Sequence, residues 1–274
     1  MKIVIEILNF IIPVLYIISF VFYFYDFIKA EKKFVNSKRF FLSLTLSFHF
    51  VYLLLRTFEF DHPPITNVFE IFTILAFAIS FSYFILELVT DIRGTGPFII
   101  IISIIFQLIS SVFIPDVYQV KEVLRNHLLG IHVFSALLGY SAITISAVYG
   151  FLYLILFNDI KLNKFGLVFN RLPSLEVLEK LSFISAIIGF SLLSMAIIIG
   201  VIWLPKAFPH FSYIDPKLIG TLLVWIIYGL GISIKVFGGW QGKKVILFSI
   251  FGFVIAILST IVSNFIARSF HSFY

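Results

Sequence analysis

Residues 203–217 read WLPKAFPHFSYIDPK, and what flanks them decides the fold. Residues 179–203 and 217–237 form two apolar runs, each about as long as the roughly 20 residues a helix needs to cross a hydrocarbon layer. Residues 203–217, at their junction, hold four aromatic rings, three prolines, one histidine and one aspartate. Such a segment cannot sit in lipid, where every backbone polar group must be paired within the protein. It is a loop at a membrane surface.

Working outward, apolar runs recur at residues 3–26, 39–58, 67–90, 97–114, 131–157 and 245–267, making eight with the two above. The composition agrees. Of 274 residues, 61% are hydrophobic and 12% charged, against about 25% charged in soluble domains, and the mean hydropathy is +1.10. Strand-like alternation is absent, so the runs are helices. The expected fold is an all-α integral membrane protein, a bundle of about eight transmembrane helices forming one polytopic domain over residues 1–274. The first run follows a single lysine and lacks a small-residue cleavage site, so it reads as a span rather than a cleaved signal. The segment 158–180 is amphipathic and could form a short interfacial helix on the cytoplasmic side.

Basic residues sort by side. The first, third, fifth and seventh connections carry Lys29, Lys32, Lys33, Lys38, Arg39, Arg93, Lys161, Lys164, Arg171, Lys180, Lys235, Lys243 and Lys244, thirteen of the twenty in the chain. The positive-inside rule places these in the cytoplasm and both termini outside. The basic excess is thereby explained by topology, with no nucleic-acid partner. Cysteine is absent, which excludes disulfides, thiolate metal sites and thiol chemistry. On this topology His62, His127, His132, His210 and His271 all lie on the outer side. His49 alone is inside a span.

His132 opens the fifth span and His271 follows the eighth. Neutral imidazole is a good iron ligand, so two outer helix ends could present axial ligands to a haem; equally, each could be an interfacial histidine with its polar edge in water. Trp203, Phe208, Phe211 and Tyr213 could form an aromatic wall for a flat ligand or an aromatic belt at the headgroups. Asp215-Pro216 reads as a helix cap with proline in the first turn. His49 could ligate a buried haem, contact a quinone, or make one hydrogen bond to a neighbouring helix. Arg56 could neutralise a haem propionate or snorkel to the interface. Glu70 and Asn67 suit a helix start.

Several of these residues fall in an order that resembles the cytochrome c assembly proteins of the CcsA and ResC type, including their HemX-like relatives. The resemblance covers about residues 45–274. It rests on Arg56 followed by Asp61-His62-Pro63-Pro64-Ile65-Thr66-Asn67-Val68-Phe69-Glu70, on His132-Val133 with Gly139-Tyr140-Ser141-Ala142, on Gly200-Val201-Ile202-Trp203, on Asp215-Pro216-Lys217 with Trp225, and on Phe270-His271-Ser272-Phe273. The resemblance implies that His132 and His271 are the axial ligands of an external, non-covalently bound b-type haem. It also implies that the loop before Asp215 handles that haem. The chain departs from the family at the defining loop tryptophans, where it has Phe208, Ser212 and Ile214. It has Ser233 where the family places an intramembrane histidine.

The expected function is haem handling in c-type cytochrome biogenesis. Haem would be presented at the extracytoplasmic face of the cell's inner or plasma membrane. The implied partners are apocytochrome c and CcsB/ResB-like assembly proteins, and the chain would serve as a component of a haem lyase without a self-contained catalytic constellation. The alternative is a HemX-like membrane regulator or scaffold of tetrapyrrole metabolism that has lost haem transfer. A quinone-linked subunit would need paired intramembrane histidines, and only His49 is there.

Overall fold

The computed structural model describes residues 1–29, 32–118, 126–207, 212 and 214–266. Among them the chain forms helices and no strand: α1 (Lys2–Lys29), α2 (Lys32–Phe60), α3 (Val68–Thr90), α4 (Gly96–Phe113), α5 (His127–Lys161), α6 (Leu167–Arg171), α7 (Leu175–Ala207), α8 (Pro216–Gly238) and α9 (Lys243–Ile261), followed by a π-helical turn Val262–Ile266. Eight of these are long and apolar enough to cross a membrane, and they coincide with the eight apolar runs. Most extend beyond the apolar stretch, because helical hydrogen bonding continues where polar side chains enter the interface. Trp203 to Ala207 are thus the last turns of α7 rather than loop. Pro205 does not stop the helix at once: its fixed φ is helical, and α7 runs on two residues past it to Ala207.

Helix ends follow local chemistry. Asn67 caps α3, its Oδ1 accepting from the backbone N–H of Phe69 (3.0 Å) and Glu70 (2.9 Å). Glu70 reaches back, Oε2 accepting from Thr66 N (2.8 Å) and Thr66 Oγ1 (2.7 Å), a variant of the capping box. Asp215 caps α8 through Lys217 N (2.9 Å), with Pro216 in the first turn, as the sequence predicts. The amphipathic segment 158–180 is not one helix: its ends belong to α5 and α7, and between them lies the short α6.

The chain divides into two compact units, residues 1–120 with 156–174, and residues 121–155 with 175–274. In the first, α1 packs on α2 and α4, and α3 packs on α2 and α4. At the end where α2 begins, Lys38 is 1% exposed and sits 2.7 Å from both Asp26 of α1 and Glu87 of α3. Tyr23 also donates to Glu87. Lys38 and Arg39, counted with the first connection in the sequence, therefore lie inside a helix. Arg39 donates to Asp91, just past α3, and with Arg93 holds that exposed carboxyl below its usual range.

In the second unit, α7, α8 and α9 pack on one another around Ile143, Ala186, Leu193, Val224, Tyr228 and Ala256. Helices α5 and α7 meet at glycines: a Cβ on Gly189 would lie 2.8 Å from the Ile143 side chain and 3.1 Å from the Gly139 carbonyl. Small residues at such seams let helix backbones approach closely in membranes.

Candidate functional site

His132 lies in the second turn of α5, half-buried against α7. Its Nδ1 is 2.8 Å from the carbonyl oxygen of Ala196. A carbonyl only accepts, so Nδ1 carries the proton. In the neutral ring the lone pair is then on Nε2, the tautomer that ligation through Nε2 requires. Gly200, one turn further along α7, lets the ring lie there: a Cβ at that position would be 3.0 Å from the imidazole Cε1. Trp203 is half-buried further along the same helix. Asp215 is 5% exposed at the start of α8. On α8, Trp225 stacks on Phe190 at 5.1 Å and donates to Ser194 Oγ at 2.7 Å. Phe208, His210, Phe211, Tyr213 and His271 lie outside the described residues.

Two further candidates belong to the first unit. Arg56 does not snorkel; it is 2% exposed. Its Nη2 bonds Glu70 Oε1 (3.3 Å) and the Pro115 carbonyl (3.0 Å), and Nη1 lies 3.6 Å from Asp116. The guanidinium also covers the Phe60 ring at 4.7 Å. A ligand carboxylate would reach Arg56 most readily by displacing Asp116, its most exposed partner. Arg56 and Asp116 line a cavity of 290 Å³ together with Ile5, Glu6, Asn9 and Ile114, at the lower limit of the roughly 300–1,000 Å³ of small-molecule pockets.

His49 is fully buried. Nδ1 is 3.0 Å from Tyr16 OH and Nε2 is 2.9 Å from Thr73 Oγ1. Thr73 gives its single hydroxyl proton to Gln107 Oε1 (2.8 Å), so it must accept from Nε2–H. Gln107 in turn donates to Ser111 Oγ (3.0 Å), and Asn9 ties the Ser111 carbonyl (2.9 Å) to Tyr52 (3.1 Å). Both imidazole nitrogens are committed to one polar chain through α1, α2, α3 and α4, so in this arrangement neither is open to a metal or a quinone. Sequence reasoning allowed His49 one bond; Tyr16, Thr73 and Gln107 gave no signal there beyond being polar residues in apolar runs. Among the described residues no cluster of three or more His, Asp or Glu could hold a bare metal ion.

With this geometry in place, comparison with known proteins is decisive about kinship. The family model described as cytochrome C assembly protein matches residues 6–271. The chain belongs to that family. The match begins in α1, well before residue 45, from which the resemblance is read. Among similar proteins, the cytochrome c biogenesis protein CcsA of Prochlorococcus marinus (strain MIT 9515) is 26% identical over 270 residues, covering 89% of this chain and 85% of the relative. CcsA of Mesostigma viride is 26% identical over 245 residues, 81% and 80% of the two chains. Protein HemX of Bacillus subtilis (strain 168) is 26% identical over 250 residues, 90% of each. Ser233, at the position of the missing intramembrane histidine, lies on an exposed face of α8.

Proposed function

We propose that this protein handles haem during the biogenesis of c-type cytochromes, holding it non-covalently at the extracytoplasmic face with His132 and His271 as axial ligands. The observation that carries this reading is the His132 geometry: Nδ1 donates to the Ala196 carbonyl, which fixes both the ring's orientation and the Nε2 lone pair. Haem suits such a donor set because the porphyrin supplies the equatorial nitrogens, so axial imidazoles suffice. Haem brought here would be cargo: iron-centred redox chemistry is its own contribution. This chain's residues bind and orient it, with Trp203, Phe208, Phe211 and Tyr213 as aromatic walls and Asp215 anchoring the loop to α8. The acceptor apocytochrome c must bring the thiols, since this chain has no cysteine. CcsB/ResB-like assembly proteins are the fitting partners of a haem lyase built on this subunit in the inner or plasma membrane.

The test is a reduced-minus-oxidised visible spectrum of the purified protein beside a His132→Ala/His271→Ala double variant. Sharp haem bands that vanish in the variant are expected. Bands that survive it, or a wild type that takes up no added haem, overturn the reading. The second reading, a membrane regulator or scaffold of tetrapyrrole metabolism, then takes over. It is favoured by the end-to-end likeness to Protein HemX and by Phe208, Ser212 and Ile214 at the loop tryptophan positions.

A further inference from the structure

His62, in the turn between α2 and α3, is 3% exposed. Its two ring nitrogens both face backbone carbonyls: Nδ1 lies 2.9 Å from Pro63 O and Nε2 lies 2.8 Å from Val117 O. A carbonyl oxygen has no proton to give. A neutral imidazole has one N–H and one lone pair, so it satisfies one carbonyl and sets its lone pair against the other. Only the imidazolium, with two N–H donors, completes both bonds. The ionisable side chains described at this end of the unit are Lys2 and Glu6 of α1, Arg56 and Glu59 of α2, Asp61 of the turn, Glu70 of α3, and Asp116 and Tyr118 beyond α4. They comprise two cations, joined by the Met1 amino group, against five carboxylates.

The bond to Val117 crosses 55 positions of sequence. It ties the α2–α3 turn to the segment that follows α4. The same segment is held by Arg56 through Pro115 O at 3.0 Å, and it contributes Asp116 to the wall of the 290 Å³ cavity. Residues 115–118 thus have two tethers, the guanidinium of Arg56 at Pro115 and the imidazole of His62 at Val117.

We propose that His62 is a proton-operated latch: as an imidazolium it pins residues 115–118 to the α2–α3 turn and closes one wall of the cavity at Arg56, and on losing a proton it releases that wall. The latch closes when the ring gains a proton and opens when it loses one. It is independent of haem and of His132.

The test uses the full-length protein in lipid nanodiscs, with two readouts. Long-range ¹⁵N–¹H spectra of histidine-labelled protein, assigned by loss of a signal in His62→Asn, report how many ring nitrogens carry protons. Both are expected to be protonated when the segment is pinned. Hydrogen exchange at the amides of Asp116, Val117 and Tyr118, corrected for the intrinsic pH dependence of exchange, is expected to quicken roughly tenfold from about pH 5.5 to about pH 8, as one charge-assisted bond is lost. His62→Arg should stay slow at both values and His62→Asn fast at both. A neutral His62 ring while the segment remains protected, or pH-independent exchange in the wild type, overturns the proposal. The wild-type measurements stand even where a variant fails to fold.

Discussion

A lysine inside a membrane bundle has to find its countercharges inside the bundle. Lys38 does so twice, between Asp26 and Glu87 at 2.7 Å each. Such a group contributes less through net attraction than through what its removal strands. Lys38→Met should cost about 3–5 kcal/mol, because it leaves carboxylates buried without a partner. Thermal unfolding of the detergent-solubilised protein is the measurement, and an unchanged midpoint would show the cluster to be solvated. Adding Asp26→Asn and Glu87→Gln should recover part of the loss, since the stranded charges go with the lysine. The Arg56–Glu70 pair works the same way at the opposite end of this unit. His49 differs in that its bonds are uncharged, and interhelical hydrogen bonds of that kind contribute about 0.6 kcal/mol on average in a membrane protein.

At the scale of the element, the seam between α5 and α7 is set by glycine. The atoms that a Cβ on Gly189 would meet include the Gly139 carbonyl and the Ile143 amide, both backbone, so they cannot rotate aside. Gly189→Leu should destabilise by about 1–3 kcal/mol through overpacking, whereas Gly130→Ala, with nothing within 4 Å of the new carbon, should be neutral or stabilising, since glycine is a poor interior helix residue. Their thermal midpoints, compared in one detergent, check the contrast; equal effects would mean that the seam is looser than these distances imply. The consequence reaches function, since the Ala196 and Gly200 positions that orient His132 are on the same α7. On the proposed haem-handling reading, loosening the seam should therefore weaken haem retention along with stability.

At the scale of the whole molecule, the positive-inside distribution predicts which face each connection meets, and the absence of native cysteine makes that directly measurable. Ser212 and Lys164 are both exposed. In intact cells, Ser212→Cys should react with a membrane-impermeant maleimide, while Lys164→Cys should react only after permeabilisation. The reverse pattern would put the His132 end of α5 in the cytoplasm and remove the basis for an extracytoplasmic haem site.

The sequence alone determined what depends on neighbours along the chain. Span number and approximate limits follow from the length of apolar runs, the start of α8 from Asp215-Pro216, and family membership from motifs in order. The loop's defining side chains Phe208, Phe211 and Tyr213, and His271 itself, remain sequence-level candidates, because they lie outside the described residues. What only the tertiary structure decided are matters between residues far apart in sequence. The proton on His132 is placed by a carbonyl 64 positions away. The partners of His49 come from α1 and α3, 33 and 24 positions distant, and Lys38 is buried because Asp26 and Glu87 converge on it from two other helices. Hydrophobic length is a local property that any window of sequence reveals. The protonation state and availability of a polar side chain depend on what other helices bring to it, and that is settled only when they pack.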